Sequence, residues 1–243
     1  MAIVTVTAGS FSGCLKDLGV RSDELLMVHA SLRSFGRFEG GADAVIDTLM
    51  GVANAGTIVM PTYTQRSLKR SPERDHDEFN PATEPSIDGL ITERFRQRRN
   101  VIRQPNDPWH PKAVWGREQK ALIEARRGAA YGFFEEHGGQ TLLVGVGHET
   151  HSFVHWMVDK TQQQGLIPQG KITSRLFPRL EPWFVREGAQ KTLACGLSTL
   201  RLVNVVAARD ATLLALSEKP DLFEMPITKE ERARPINVLE RRR

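Results

Sequence analysis

At 243 residues with 40% hydrophobic content, the chain can bury the core of one α/β domain, and we expect residues 1–243 to form a single domain with 230–243 as a polar tail. No stretch of 18 apolar residues is present, the first residues lack the basic start and long apolar region of a secretory leader, and the two cysteines, Cys14 and Cys195, lie far apart among apolar neighbours. A membrane span, a disulfide and a thiol metal pair are therefore not expected, and a cytoplasmic setting is. The net charge of +4 collects at Arg94, Arg96, Arg98, Arg99 and Arg103 and at the C-terminal arginines without interleaved aromatics, which reads as solvated faces; no nucleic-acid partner is expected, with binding through the Arg-rich helix and tail the weaker alternative.

In chain order, Phe11–Leu18 predicts a short helix closed by Gly19, and Leu25–Val28 a strand buried on both faces. The following turn holds Ser31, Arg33, Ser34, Gly36, Gly40 and Gly41 and is expected to lead directly into a helix over Ala42–Ala53. Hydroxyls, a permanently charged guanidinium and free N–H groups at a helix start suit a phosphate-bearing ligand, although an ordinary α/β connection has the same residues. Thr57–Met60 predicts a second buried strand parallel to the first, completing a βαβ unit that places Thr62 beside the turn.

Residues 62–85 read as a long irregular loop with an acidic run, Glu73 to Glu78. Ser86 is positioned to cap an amphipathic helix running to Arg98, with Ile87, Leu90, Ile91 and Phe95 on its apolar positions. PNDPWHPKAVWG, with three prolines in seven residues, predicts an extended and irregular segment. Within it, His110 lies between Trp109 and Pro111, three residues after Asp107. A histidine so restrained can serve as a general base, or it can be a solvated loop residue. A helix follows over Arg117–Arg127, then a strand over Leu142–Val146. In GVGHETHSFVHWMVD, a helix over His148–Asp159 would align His148, His151 and His155 on one face. Three imidazoles invite a zinc reading, yet Ser152 stands where the second histidine of HExxH would fall, and no metal is expected. Asn204–Ser217 predicts the last helix, carrying Val205, Val206, Leu213, Leu214 and Leu216. The whole predicts a three-layer α/β/α fold with a mixed, largely parallel sheet.

The order of VHASLRSFGRFEGGADAVIDTLM, GTIVMPTYT, FNPATEPSIDGLITERFR, the proline-rich segment ending in AVWG, GGQTLLVGVGHETHSFVH and EKPDLF resembles the aminoglycoside 3-N-acetyltransferase family, whose fold is unrelated to that of the GNAT acetyltransferases. The likeness runs from about residue 12 to 223. It implies acetyl-coenzyme A as co-substrate, held by His29, Ser31, Leu32, Arg33, Ser34, Gly36 and Thr62, and a cytoplasmic enzyme, monomer or homodimer, acetylating a small-molecule amine. In that reading His110, assisted by Asp107, deprotonates the amine, and His155 orients or stabilises. Asp75, Asp77, Glu78 and Trp109 are the candidate contacts to the acceptor. Three positions depart from the family. Asp107 stands where its His-Pro histidine is expected, Val158 replaces a glutamate three residues after His155, and Asn80 replaces an aspartate before proline. The alternative is a member that binds coenzyme A without acetylating aminoglycosides, as a binding or regulatory protein or with a different acyl acceptor.

Overall fold

The computed structural model describes residues 4–68, 79–125, 129–167 and 172–234. In chain order these form β1 (Thr5–Val6), α1 (Ala8–Leu18), β2 (Leu25–Ala30), β3 (Arg37–Phe38), α2 (Gly41–Val52), β4 (Thr57–Pro61), α3 (Leu90–Arg96), β5 (Ile102–Arg103) and β6 (Lys112–Gly116). They continue with α4 (Gln119–Glu124), α5 (Ala129–Glu136), β7 (Gln140–Val144), α6 (Ser152–Gln163), α7 (Glu181–Arg186), β8 (Gln190–Cys195), β9 (Ser198–Asn204), α8 (Val205–Glu218) and α9 (Lys229–Ala233). A seven-stranded sheet has the order β5-β6-β4-β2-β7-β9-β8, and β1 pairs with β3 separately.

The sheet is mixed, as predicted, but its parallel part is limited to the centre. β2 runs parallel to β4 and to β7, while β4–β6, β5–β6, β7–β9 and β8–β9 are antiparallel. The expectation of a largely parallel sheet fails because only the β2–β4 and β4–β7 connections carry crossovers. One end is filled by β6 with β5 at its edge and the other by the β8–β9 hairpin, each strand antiparallel to its neighbour.

β2 occupies the centre because its side chains are apolar on both faces. Leu26 and Val28 join a core built with Phe11 and Leu15 of α1, Val45, Ile46 and Leu49 of α2, and Ile91 and Phe95 of α3. Leu25 and Met27 join a second core with Phe134 of α5, Phe153, Val154 and Met157 of α6, Phe184 of α7 and Val205, Ala208 and Ala211 of α8.

Several local expectations need correction. The turn after β2 does not run straight into α2. Leu32–Phe35 is a 3₁₀ turn and β3 intervenes, because Phe35 and Phe38 are drawn onto Phe11 with ring centroids 5.0–5.6 Å apart. Ser86 is not a helix cap. α3 begins only after Gly89, whose φ of 115° no helix accommodates, and Leu90 is left exposed. KAVWG is strand β6 rather than irregular chain, since the prolines stop at Pro111 and the next five residues pair with β4. On α8, Leu213 and Leu214 face outward. The polar tail expected from residue 230 begins instead with helix, since α9 runs from Lys229 to Ala233. Its Thr228–Glu231 capping box is docked by Arg179, while 235–243 lies outside the described residues.

Candidate active site

The crevice between β2 and β7 has the geometry that gathers ligands in α/β sheets. The chain leaves β2 toward the face covered by α2 and leaves the adjacent parallel β7 toward the face covered by α6, so the connections diverge beyond the strand ends. Three loops converge there: 31–36 after β2, 62–64 after β4 and 145–151 after β7. Ser31 N–H donates to Val144 O (2.9 Å), and Ser34 Oγ donates to Ser31 O (2.7 Å) and lies 2.9 Å from Ser198 Oγ. Gly145 permits this approach. Its φ is 63°, and a Cβ there would stand 1.8 Å from Ser34 Oγ.

His29, the penultimate residue of β2, is buried, and its Nε2 accepts Ser152 N–H at 3.4 Å. Burial lowers it to about 3, so it is a neutral imidazole. Ser152 Oγ lies 3.2 Å from Tyr63 Oη, joining the β4 loop to the start of α6. Burial raises the Tyr63 phenol well above 10.0. Tyr63 N–H donates to Asp88 Oδ2 (2.6 Å), whose carboxyl burial pushes up to about 7 against the opposing pull of Arg103.

His110 stands edge-on to Tyr63, ring centroids 5.8 Å apart, with its side chain 36% exposed. Asp107 is buried and accepts His110 N–H (3.1 Å), but its Oδ1 is 3.8 Å from His110 Nδ1, beyond hydrogen-bond length. The carboxylate thus orders the loop backbone. Lys112, also buried, completes the clip. Its Nζ donates to His110 O (3.0 Å), lies 3.7 Å from Asp107 Oδ2 and sits 4.8 Å over the Tyr131 ring.

The expected single face of three histidines does not form, because the helix starts at Ser152. His148–Thr150 is a 3₁₀ turn, His151 is the N-cap, and only His155 lies on α6. The rings still meet through the turn. His148 Nδ1 and His151 Nδ1 are 3.1 Å apart, and the His29 and His151 centroids 6.2 Å. His155 packs edge-on against Phe177 at 4.5 Å. No group of three or more His, Cys, Asp or Glu arranged to hold a metal ion occurs among the described residues.

Of the other predicted contacts, Ser31, Leu32, Ser34 and the exposed Arg33 and Gly36 line the 31–36 loop. Thr62 is at the same edge but fully buried: its Oγ1 donates to Pro111 O (3.1 Å) and accepts Arg103 Nε (3.0 Å), a framework role. Trp109 is partly buried beside His110. Asp75, Asp77 and Glu78 lie outside the described residues. Val158 is buried in the second core and Asp159 is exposed, so the aspartate does not replace the family glutamate on that face of α6. Sequence reasoning missed Tyr63, Asp88, Ser152 and Lys112. A lysine directly after His-Pro, in a strand of otherwise apolar residues, is the signal that could have drawn attention to the clip.

Known proteins agree with this architecture. A family profile described as aminoglycoside 3-N-acetyltransferase matches residues 27–216. Aminoglycoside N(3)-acetyltransferase III of Serratia marcescens is 30% identical over 169 residues, 62% of this chain and 63% of that protein. The first curated relatives are matched over between 55% and 63% of their own length. Among solved structures, apo aminoglycoside acetyltransferase AAC(3)-IVa superposes with a TM-score of 0.77 at 24% identity, covering 91% of this chain and 92% of that one. AAC-IIIb in a binary complex with CoASH superposes with a TM-score of 0.75 at 18% identity, covering 88% and 97%. At such identities the likeness speaks for the fold.

Proposed function

The chain belongs to the aminoglycoside 3-N-acetyltransferase family, and from that premise we propose that it is a coenzyme A-dependent N-acetyltransferase with a three-layer, non-GNAT α/β/α fold, acting on a small-molecule amine such as an aminoglycoside. The observation that carries the proposal is the β2/β7 crevice. It collects neutral imidazoles, two hydroxyls and a serine-glycine turn at the carboxyl ends of parallel strands, on the sequence segments the family shares.

In this reading acetyl-coenzyme A lies along the 31–36 loop, with Arg33 available to a phosphate group. The amine enters from the side of His110 and Trp109. Most amines are ammonium ions near neutrality, so a base must first take one proton. His110, partly exposed and held by the Asp107–Lys112 clip, is placed to do so. The freed nitrogen lone pair attacks the thioester carbonyl, the C–S bond breaks as the amide forms, and the departing thiolate recovers a proton from the former amine. The Tyr63 and Ser152 hydroxyls and the backbone N–H groups of the β7 loop are candidate donors to the oxyanion. His155 orients the acceptor from α6.

Acetyl-coenzyme A is to be incubated with the protein and a panel of amines that includes aminoglycosides, with free thiol and acetylated product followed together. Turnover is expected, and His110→Ala is expected to lower it about 10²–10⁴-fold. Full activity of that variant would remove His110 as the base. Tight coenzyme A binding without turnover of any amine would replace the enzyme reading with a binding or regulatory one.

A further inference from the structure

Behind the crevice runs a chain of polar side chains, half-buried at Arg201 and Glu181 and buried from Gln190 to His151, that the acyl-transfer scheme does not use. Arg201 on β9 donates through Nε to Glu181 Oε1 (2.7 Å). Gln190, at the start of β8, donates through Nε2 to the same carboxylate oxygen (3.0 Å) and to Thr192 Oγ1 (3.1 Å). Gln190 Oε1 is 2.7 Å from His148 Nε2, and His148 Nδ1 is 3.1 Å from His151 Nδ1. His148 and His151 have no exposed surface, and His151 Nε2 is buried without a hydrogen-bond partner among the described residues.

These contacts determine where each proton sits. A carboxylate accepts only, so the amide of Gln190 must turn its NH₂ to Glu181 and its carbonyl to His148. A carbonyl oxygen at 2.7 Å requires His148 Nε2 to carry a hydrogen. A flipped amide would set oxygen against oxygen at Glu181, and with the amide as it stands a bare His148 Nε2 would set its lone pair against the carbonyl oxygen. With both rings neutral, His148 Nδ1 is then a bare acceptor, and the facing His151 Nδ1 must be the donor. Neutrality follows from the surroundings. Burial lowers His148 to about 4, with the Gln190 hydrogen bond and Glu181 opposing and Arg201 assisting, and lowers His151 well below the ordinary 6.5, with His148, His29 and His155 adding to it.

We propose that His151 is a positioning residue locked as its Nδ1–H tautomer by the Glu181–Gln190–His148 chain, so that the ring edge turned away from His148 offers a lone pair to the cluster shared with His29 and His155. The chain fixes the polarity of the cluster: His151 Nε2 can accept a hydrogen bond from a donor that enters the buried cluster and cannot give one. A substrate N–H or a bound water is complementary to that edge, and a carbonyl is not. The catalytic consequence rests on the acyl-transfer reading, but the tautomer itself does not.

Nitrogen-15 NMR of the histidine side chains in the resting protein tests the proposal. His151 Nδ1 and His148 Nε2 are expected to be pyrrole-like, His151 Nε2 and His148 Nδ1 pyridine-like, with a scalar coupling across the Nδ1–H···Nδ1 bond. A protonated His151 Nε2 in the unmodified protein overturns the proposal. Gln190→Leu removes the acceptor for His148 and is expected to mix the two tautomers. Gln190→Glu, sharing one proton with Glu181, retains a carbonyl toward His148 and is expected to restore the pattern. A Gln190→Leu protein with an unchanged pattern also overturns it. If the unmodified protein acetylates amines, Gln190→Leu is expected to lower kcat about 10–100-fold with KM for acetyl-coenzyme A nearly constant, and Gln190→Glu to recover most of it. An enzyme without turnover would sink the function while leaving the tautomer measurement intact.

Discussion

The docking of the C-terminal segment offers a stability test in which one charge can be isolated. Arg179 and Glu231 form a two-point ion pair, Nε to Oε1 at 2.7 Å and Nη2 to Oε2 at 2.8 Å, with both side chains 9% exposed. Arg179 also donates to the carbonyls of Leu222, Met225 and Pro226, so the guanidinium ties 222–231 onto the body of the protein. The Arg179 guanidinium, supported by Thr228 N–H, pulls the Glu231 carboxyl from 4.5 to about 2. At about 1.36 kcal/mol per pH unit that difference corresponds to about 3 kcal/mol of stability carried by the ionised form.

Glu231→Gln keeps the shape and the capping oxygen but not the charge. We expect it to lower the unfolding free energy by about 2–3 kcal/mol at pH 7, read from urea transitions of the two proteins. The sign of the pH effect follows from the depressed value. The contribution is complete well above 4.5 and is lost as pH falls toward about 2, so the gap between wild type and variant is expected to shrink by about 1.4 kcal/mol near pH 3.5 and to be constant from pH 6 upward. A gap under about 0.5 kcal/mol at pH 7, or one that ignores pH down to 3.5, would refute the assignment of α9 as a charge-docked element.

Two further predictions concern the site. Gly145→Ala combines a left-handed φ, costing about 1–2 kcal/mol for any other residue, with a clash against Ser34. A loss of about 3 kcal/mol or more in urea unfolding is expected, and removing the obstructing side chain in Gly145→Ala/Ser34→Gly is expected to return part of it; a double variant no better than the single would show that the close approach is not the cause. Burial holds His29 at about 3 and His148 at about 4, below the ordinary 6.5, so the unfolded chain binds more protons between those values. Stability is therefore full above pH 6.5 and falls as the solution is acidified toward pH 4, by on the order of 1–3 kcal/mol per histidine. His29→Gln is expected to flatten that slope in acid titrations monitored by circular dichroism, and an unchanged slope would place His29 in a solvated environment.

What could be read from the sequence was whatever depends on neighbours along the chain. The β2–α2–β4 unit announces itself because a strand buried on both faces must be apolar at every position, and a one-sided helix must repeat at 3.6. The hairpin β8–β9 obeys an equally local rule. Leu193 and Cys195, then Leu200 and Leu202, alternate around the two-residue connection Gly196-Leu197, a hairpin pattern that exposed Lys191 and Thr192 dilute. α9 was hidden for another reason. Its sequence is polar, and what holds it is Arg179, 52 residues away.

The site divides along the same line. Ser31–Gly36 and His110 can be picked out from residue type and spacing, and the family likeness orders them. Their surroundings cannot. Helical periodicity puts His148, His151 and His155 on one face only if a helix starts at His148. In the fold it starts at Ser152, since the backbone of His151, at φ −73° and ψ 96°, is not helical. The cluster exists nevertheless, because Gln190 holds His148 from a strand 42 residues further on and Ser152 reaches back 123 residues to His29. The identity of a histidine is local information, but whether it gives or takes a proton is set by the acceptor behind it. Here that acceptor sits on β8, the edge strand that patterning overlooked, and reading the hairpin from sequence is therefore the step that would have brought the chemistry of the crevice within reach.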